Sequence, residues 1–563
     1  MNLHRRGLLG LLGAGATSAC ASAPATGPRP VAFRHGVASG DPDQTSAVFW
    51  TRVTPLDVAA GDIAVTLEVA RDMAFQNVVF RSSELAARSE RDFTVKHDLS
   101  GRGLEPGQEY VYRFTAEGVT SPVGRVRTLP AGPTADVVLA VASCQLHPGG
   151  LFNAYEAMAG LERLDAVVHL GDYIYEYGAD PDAYGMVTGA PLNRVPEPAH
   201  EIVSLADYRT RHAQYKSDPD LQAAHARAAF ICVWDDHEVA NDSWLAGAEN
   251  HSPETEGDFA QRKAAALRAY YEWMPIREPK AGALKEAVNR VFHFGDLASL
   301  IMVETRLLAR TEPLSYADLS PGADGRPDVA AFRARLNAPS RELLGSDQRR
   351  WLGRELASSK AAGRAWQVLG NQVVTARVRG PDVERMMPAE QVAALLATLP
   401  EDVRTQVQAS IQLFRLGLPF NLDSWDGYPA ARERLYDLFR EAGVEPIVLA
   451  GDSHAFWVNE LHDARGERRA VEFGVTAISS PSPGDFIRGL PLGQALVSAN
   501  PEEVRLCDQT AKGYILLTLT PKSARADLMA VSTILKKPFE VRTLASAHVT
   551  RTPAGAELRL VES

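Results

Sequence analysis

The sequence predicts an α/β catalytic core preceded by an all-β sandwich of the immunoglobulin or fibronectin type. Three observations lead there. Residues 30–130 are cut into short strand-like runs by turn signals. From Asp136 the pattern changes to uninterrupted apolar runs of strand length, separated by long stretches of helical periodicity. Each of those runs ends in side chains of the type that bind metals or move protons. At 563 residues the chain exceeds what one core usually holds, so two domains or one large decorated domain are expected.

In the N-terminal part, Ala47–Val53 reads as a strand closing in a Thr-Pro turn, and Ile63–Ala70 alternates apolar with polar residues. The stretch Leu104–Phe114 has the form of a tyrosine corner. Pro130-Ala131-Gly132-Pro133 reads as a linker. The later strands are Val137–Ala142, Ala166–Leu170, Ala229–Trp234, Trp366–Leu369 and Ile447–Ala450. Their lack of alternation implies burial on both faces, hence a core with helices on both sides. Residues 181–228 and 308–345 read as polar insertions near the site, and strand-like alternation returns from Gly513. The expected division is a targeting segment at 1–25, a sandwich domain at 30–130, a catalytic domain at 134–545 and a C-terminal tail at 546–563.

The formal charge of −11 argues against nucleic acid or an anionic membrane as the main partner and is compatible with bound cations. His4-Arg5-Arg6-Gly7-Leu8-Leu9 supplies a twin arginine, followed by an apolar, glycine-rich run to Ala16 and small residues from Thr17 to Ala23. The run is too short to span a bilayer. Twin-arginine export moves folded proteins with cofactors loaded, so the expected partner is that export machinery and the expected location periplasmic or secreted. The same residues also read as the basic start of an ordinary secretory signal. Cys20 is a candidate lipidation site that would place the protein at a membrane, although Thr17 stands where such sites usually have leucine. Beyond this segment three cysteines remain, Cys144, Cys232 and Cys507, an odd count that excludes complete pairing within one chain.

The most informative stretch is Val168-His169-Leu170-Gly171-Asp172-Tyr173-Ile174-Tyr175-Glu176-Tyr177. An aspartate at the tip of a buried strand has a fixed backbone and suits a ligand shared between two metal ions. Tyr175, three residues on, can reach back to it, and phenolate is a good ligand for Fe³⁺. Alone, Asp172 reads equally well as the N-cap of a helix. The other strands end in Ser143-Cys144-Gln145, in Asp235-Asp236-His237-Glu238-Val239-Ala240-Asn241-Asp242, in Gly370-Asn371-Gln372 and in Gly451-Asp452-Ser453-His454. Ligands of open α/β sheets bind outside the carboxyl ends of the strands, so the joint occurrence of these endings marks a site.

The order Gly-Asp-x-x-Tyr, Asp-Asp-His-Glu, Gly-Asp-x-His, each after a strand, resembles the metallophosphatase superfamily, and in particular the PhoD-like alkaline phosphatases. The stretches that carry the resemblance are His35–Pro42, Trp50–Val53, Leu170–Tyr177, Trp234–Trp244, Asn421–Pro429 and Gly451–Trp457. It implies an N-terminal β-sandwich, a four-layer α/β/β/α metallophosphatase core, twin-arginine export, and Fe³⁺ with Ca²⁺ at the site. The implied metal ligands are Cys144, Asp172, Tyr175, Asp236, Asn241, Asp452 and His454, with His237 and Asp235 catalytic. Relative to purple-acid-type phosphatases, Asp236 stands where an asparagine is expected, Asn371-Gln372 where a histidine is expected, and Asp452 where a Gly-His-x-His motif has its first histidine. Oxygen donors in place of nitrogen favour Ca²⁺ or Mg²⁺ over Zn²⁺. Cys144, Tyr175 and His454 with bridging Asp172 suit Fe³⁺, while Cys144 also reads as a small buried hydrophobe.

The expected activity is phosphomonoester or phosphodiester hydrolysis by in-line attack of metal-bound hydroxide. The carboxylates flanking His237 would orient it as an acid for the leaving oxygen. Arg209 and Arg211 are candidates to clamp a phosphate, and equally read as helix-surface charges. The alternatives are a phospholipase D-like hydrolase on the same site and a non-catalytic surface binding protein. The intact Asp172, Asp236, His237, Asp452 and His454 argue against the last.

Overall fold

The structure, a computed structural model, describes residues 29–562 apart from 58–60, 102, 323, 324, 400, 488, 489, 553 and 554. The targeting segment, with Arg5, Arg6 and Cys20, lies outside the described residues.

Two large sheets build the core. The first has three parallel strands at its centre, Val137–Ala142, Ala166–His169 and Ala229–Cys232. On one side it extends antiparallel through Lys512–Leu519, Ser523–Val531, Val541–Thr552 and Gly555–Glu562. The second sheet runs Arg290–Phe294, Ala298–Met302, Trp366–Gly370, Ile447–Ala450, Arg468–Gly474, Phe456–His462 and Val504–Asp508.

Side-chain alternation shows how the layers stack. Leu300, Met302, Val368, Ile447 and Leu449 join the core shared with the first sheet. Their neighbours Ile301, Leu369, Val448 and Ala450 pack with Leu352, Leu356, Leu435 and Phe439 of the helices Gly345–Ala361 and Pro429–Ala442. The strands are buried on both faces, as the apolar runs require. However, one face of each sheet is covered by the other sheet and not by helices, which gives the α/β/β/α order.

The N-terminal sandwich is less separate than its composition suggests. One of its sheets is Gly124–Arg127, Glu109–Ala116, Ile63–Ala70 and Val78–Ala87. The opposite layer, Val37–Gly40, Ala47–Arg52 and Thr94–Leu99, is the far edge of the ten-stranded core sheet, joined to it where Gly40 pairs with Phe230. A Cβ on Gly40 would stand 2.2 Å from the Pro275 carbonyl oxygen, so this junction requires glycine. The expected boundary at 130 therefore separates one layer only. The tyrosine corner is present: the Glu105 N–H donates to the Tyr110 hydroxyl at 2.8 Å. Thr54-Pro55 is a short strand paired with Val31–Ala32 and not a turn. The expected C-terminal tail is also strand. Val541–Thr552 runs across the 545/546 boundary because Ala545, Ala547 and Val549 alternate into the core.

One buried contact links the sandwich edge to the site. The Lys216 ammonium donates to the Tyr173 hydroxyl at 2.9 Å and lies over the rings of Trp50 at 4.7 Å and Tyr173 at 5.0 Å. Burial lowers its pKa to about 7. The unfolded chain then holds the proton more tightly than the folded one, so the resulting penalty is complete below pH 7 and fades between about pH 7 and 10. The stability difference between Lys216→Met and wild type should accordingly shift in favour of wild type as pH rises through that window. Urea denaturation at pH 6.5 and 9.5 measures it, and a difference that stays constant would contradict a depressed lysine.

Candidate active site

The strand ends converge from both sheets: three from the parallel centre of the first, two from adjacent strands of the second. Cys144, Asp172, Asp452 and His454 all have left-handed backbones, with φ of 59°, 56°, 59° and 55°. Such conformations cost on the order of 1 kcal/mol or more each for residues other than glycine and persist where surrounding structure holds them. Gly171 has φ 114°, and a Cβ there would lie 2.4 Å from the Asp235 amide nitrogen, so the two motif loops meet only through glycine. No helix follows Asp172, which removes the N-cap reading.

Asp172 is the hub. Its Oδ2 accepts from the Cys144 thiol at 3.3 Å and from the Tyr175 hydroxyl at 3.2 Å, while its Oδ1 is buried without a partner among the described residues. Ligand-type atoms fall into groups within 4.8 Å of one another: Cys144, Asp172 and His454; Asp172, Asp236 and His237; Asp172, Asp235, Asp236 and Asp452; Asp236, Asp242 and Asp423. Three of the four share Asp172. His454 Nδ1 donates to the Pro481 carbonyl at 2.6 Å, which leaves the Nε2 lone pair facing Tyr175. Burial lowers this imidazole to about 3, so it is neutral and able to ligate. Burial also raises the Cys144 thiol and the Tyr175 phenol, with the Asp172 charge adding to both shifts.

The carboxylates exceed the cations that face them. Burial and mutual repulsion raise Asp172, Asp242 and Asp452, and bring Asp235 up to about 6. Their main compensation is Arg306, fully buried. It pairs with Asp235, lies 2.6 Å from Asp423 and 3.4 Å from Asp452, and is joined on Asp423 by Arg310. Oxygens packed this densely, with Asp172 Oδ1 and Asp235 Oδ2 both buried without a hydrogen-bond partner among the described residues, fit bound cations.

The structure brings together Cys144, Asp172, Tyr175, Asp236, Asp452 and His454, and departs from the sequence reading elsewhere. Asn241 donates from its side-chain amide to Glu249 at 3.1 Å and from its backbone N–H to Glu176, and it lines a cavity with Asp242 and Asp423, which stand beside Asp236. Asn371 and Gln372 are spent inside the core, on Val373, Thr375, Thr305 and Val303. Asp235, expected to act beside His237, is salt-bridged to Arg306 and lies with the other carboxylates. His237 is oriented by Glu176, whose Oε2 is 2.7 Å from Nδ1, and not by its flanking carboxylates. Arg209 forms a bidentate pair with Glu272, and Arg211 donates to the carbonyls of Tyr175, Glu197 and Pro198, so neither faces the site. Burial opposes a charge on His237, but Asp236, Glu176 and Asp172 together raise its pKa.

Arg306 had a readable signal. Leu300-Ile301-Met302-Val303-Glu304-Thr305-Arg306 is one more apolar run ending in polar residues. Glu238 is the other residue whose role emerges only in three dimensions. Its carboxylate accepts from the backbone N–H of Asp172 at 3.1 Å, Tyr173 at 2.6 Å and Asp235 at 2.7 Å. Burial pushes its pKa up to about 8 against the pull of these donors. Glu238→Gln turns an amide NH₂ toward N–H groups that need an acceptor, and is expected to cost about 2–3 kcal/mol. Urea unfolding of the metal-free protein checks this; a cost under about 0.5 kcal/mol would show the staple to be dispensable.

A two-sheet core whose strand ends gather side chains that could hold metal ions fits the class of phosphoric ester hydrolases. The PhoD-like phosphatase family model matches residues 139–528, and the model for the N-terminal domain of PhoD-like phosphatases matches 19–130. The chain is 34% identical over 548 residues to alkaline phosphatase D of Bacillus subtilis (strain 168), covering 94% of this chain and 82% of that one. It superposes on a solved structure of PhoD with a TM-score of 0.75 at 31% identity, covering 96% and 93% of the two chains. The chain belongs to the PhoD-like phosphatase family and is a phosphoric ester hydrolase, which sets aside the non-catalytic binding reading.

Proposed function

We propose that the protein is an exported, metal-dependent hydrolase of phosphomonoesters and phosphodiesters, with Fe³⁺ held by Cys144, Tyr175 and His454, Ca²⁺ held by Asp236, Asp452 and their neighbours, and Asp172 shared between them. The observation that carries this reading is the position of Asp172 in three ligand groups at once, with one buried oxygen unpartnered. The split follows donor chemistry: thiol, phenol and imidazole on one side, carboxylate oxygens on the other. Bound there, the ions supply Lewis acidity toward phosphate oxygens and lower the pKa of water.

The chain's own groups do the rest. Arg306 fixes the separations among Asp235, Asp423 and Asp452. Glu176 holds the His237 ring by Nδ1 and leaves Nε2 to donate a proton to the leaving oxygen. Arg5-Arg6 supports export to the periplasm or cell surface, and Cys20 the lipidated variant of that location.

Metal analysis combined with hydrolysis of p-nitrophenyl phosphate and its bis ester tests the reading. Iron and calcium should co-purify, concentrated protein should absorb in the visible through tyrosinate–iron charge transfer, and a calcium chelator should remove activity reversibly. Full activity with zinc alone and no calcium would overturn it.

A further inference from the structure

A cavity of about 800 Å³ opens directly from the carboxylate group. Asp242, Asp423, Asp452 and His454 form its floor, and a phosphate at that floor would occupy a small part of it. Polar side chains such as Gln406, Asn421 and Gln509 share the walls with an apolar set, Val378, Val407, Phe420, Trp457, Phe486 and Ile487. Val407 comes from the Glu401–Phe414 helix and Phe486 from the Pro483–Phe486 turn of helix. Phe486 is 50% exposed, and its neighbour in the wall, Trp457, is fixed by its indole N–H on Ser453 at 2.9 Å. A single exposed phenylalanine needs no explanation by itself, but here it continues an apolar wall inside a cavity beside a polar site, the composition of a ligand pocket.

Charge sharpens the picture. The other ionisable groups on the wall are Asp182 and Tyr184, and no lysine or arginine is among the described residues that line the cavity. The adjoining cavity of about 570 Å³, which shares Asp242, Phe420 and Asp423, adds Glu249 and Glu312. A second phosphate on the substrate would face carboxylates there, while an uncharged apolar group would be removed from water.

We infer that the site selects esters carrying a single phosphate and an uncharged, apolar organic group that lies against Phe420 and Phe486, and discriminates against substrates bearing further phosphates. The inference rests on the hydrolase reading above, because it takes the phosphate to be held at the carboxylate group.

Its test compares hexyl phosphate, the monophosphate of hexanediol and hexanediol bisphosphate on the metal-loaded enzyme. The three have alkoxide leaving groups of nearly equal basicity, so differences report the pocket. The kcat/KM for hexyl phosphate should exceed that for the bisphosphate about tenfold or more, since the two share the same methylenes and only the bisphosphate must bring a second charged group out of water toward carboxylates, where about 1.4 kcal/mol is already tenfold. Phe420→Ala and Phe486→Ala should each erase part of the preference, lowering kcat/KM for hexyl phosphate several-fold and leaving that for glycerol phosphate within about twofold. Equal rates on hexyl phosphate and the bisphosphate, or equal losses on all substrates in both variants, would overturn the inference. Calorimetry with hexylphosphonate and hexane bisphosphonate reads the same preference without turnover. Absence of hydrolysis of every ester would thus condemn the functional reading, while the binding preference would still decide the pocket.

Discussion

Replacing Asp172 by alanine should abolish turnover, with a loss of about 10³-fold or more in kcat. A polarising cation contributes several kcal/mol to transition-state stabilisation, and each ~1.4 kcal/mol is a factor of ten. Asp172 belongs to three of the four ligand groups, so its removal affects every neighbouring ion at once. Two cations drawn together without a shared anion repel, and metal content should fall with activity. The metal-free protein should respond in the opposite sense. There burial, and after it repulsion from Asp236 and Asp235, disfavours the Asp172 carboxylate more than His237 favours it. Asp172→Asn, which keeps the shape and tolerates the left-handed backbone, should unfold at a higher temperature than wild type when both lack metal at pH 8, and at a lower temperature when both are loaded. Metal content near wild type in Asp172→Ala would refute the bridging role.

How much of this arrangement was legible in the sequence depended on which physical constraint each residue obeys. The five apolar runs are readable because a buried strand excludes polar residues throughout its length, and they appear as strands within one or two residues of their expected limits. What lies on each face is not readable. The same Val-Leu pattern accepts a helix or a second sheet, so the two-sheet core entered only through family resemblance. The joining of the sandwich to the core sheet was not readable for a related reason. Composition reports the change at residue 130, while the pairing of Gly40 with Phe230 is a long-range contact with no local signature.

Within the site, local geometry was legible and long-range pairing was not. Tyr175 reaches Asp172 because three residues of chain place it there. Glu176 meets His237 across a separation of 61 residues, and Arg306 meets Asp423 across 117. Nothing near Arg306 in the sequence announces four carboxylates. In the Asp235–Asp242 run, Asp242 also reaches the cluster beside Asp236, while the Asn241 amide nitrogen turns to Glu249.

The role of His237 sets the other large effect. Its ring is anchored by Glu176 at Nδ1 and packed against Tyr175 in a tilted contact and Tyr177 in an edge contact, with centroid separations of 4.2 and 5.4 Å, while Nε2 has no hydrogen-bond partner among the described residues. Burial opposes its charge, but nearby carboxylates outweigh burial and raise its pKa in the metal-free chain. A protonated ring held in one orientation, beside the shared ligand, is arranged to give a proton to a departing oxygen. The gain from doing so depends on what departs. A p-nitrophenolate leaves readily without a proton, whereas an alkoxide needs one. His237→Ala should therefore cost about 10²–10⁴-fold on alkyl phosphates and distinctly less on p-nitrophenyl phosphate. Glu176→Gln, which keeps the ring but removes the anionic anchor, should show the same leaving-group dependence at smaller amplitude. Metal content should stay close to wild type in both variants, because the ligand groups around Asp172 retain Cys144, Tyr175, Asp236, Asp452 and His454. If His237 instead served as a ligand, or only ordered the Asp235–Asn241 turn, its loss would remove metal or lower all rates alike. A plot of log kcat/KM against leaving-group pKa distinguishes these outcomes: the variant's line should be steeper than wild type, and parallel lines would end the acid assignment.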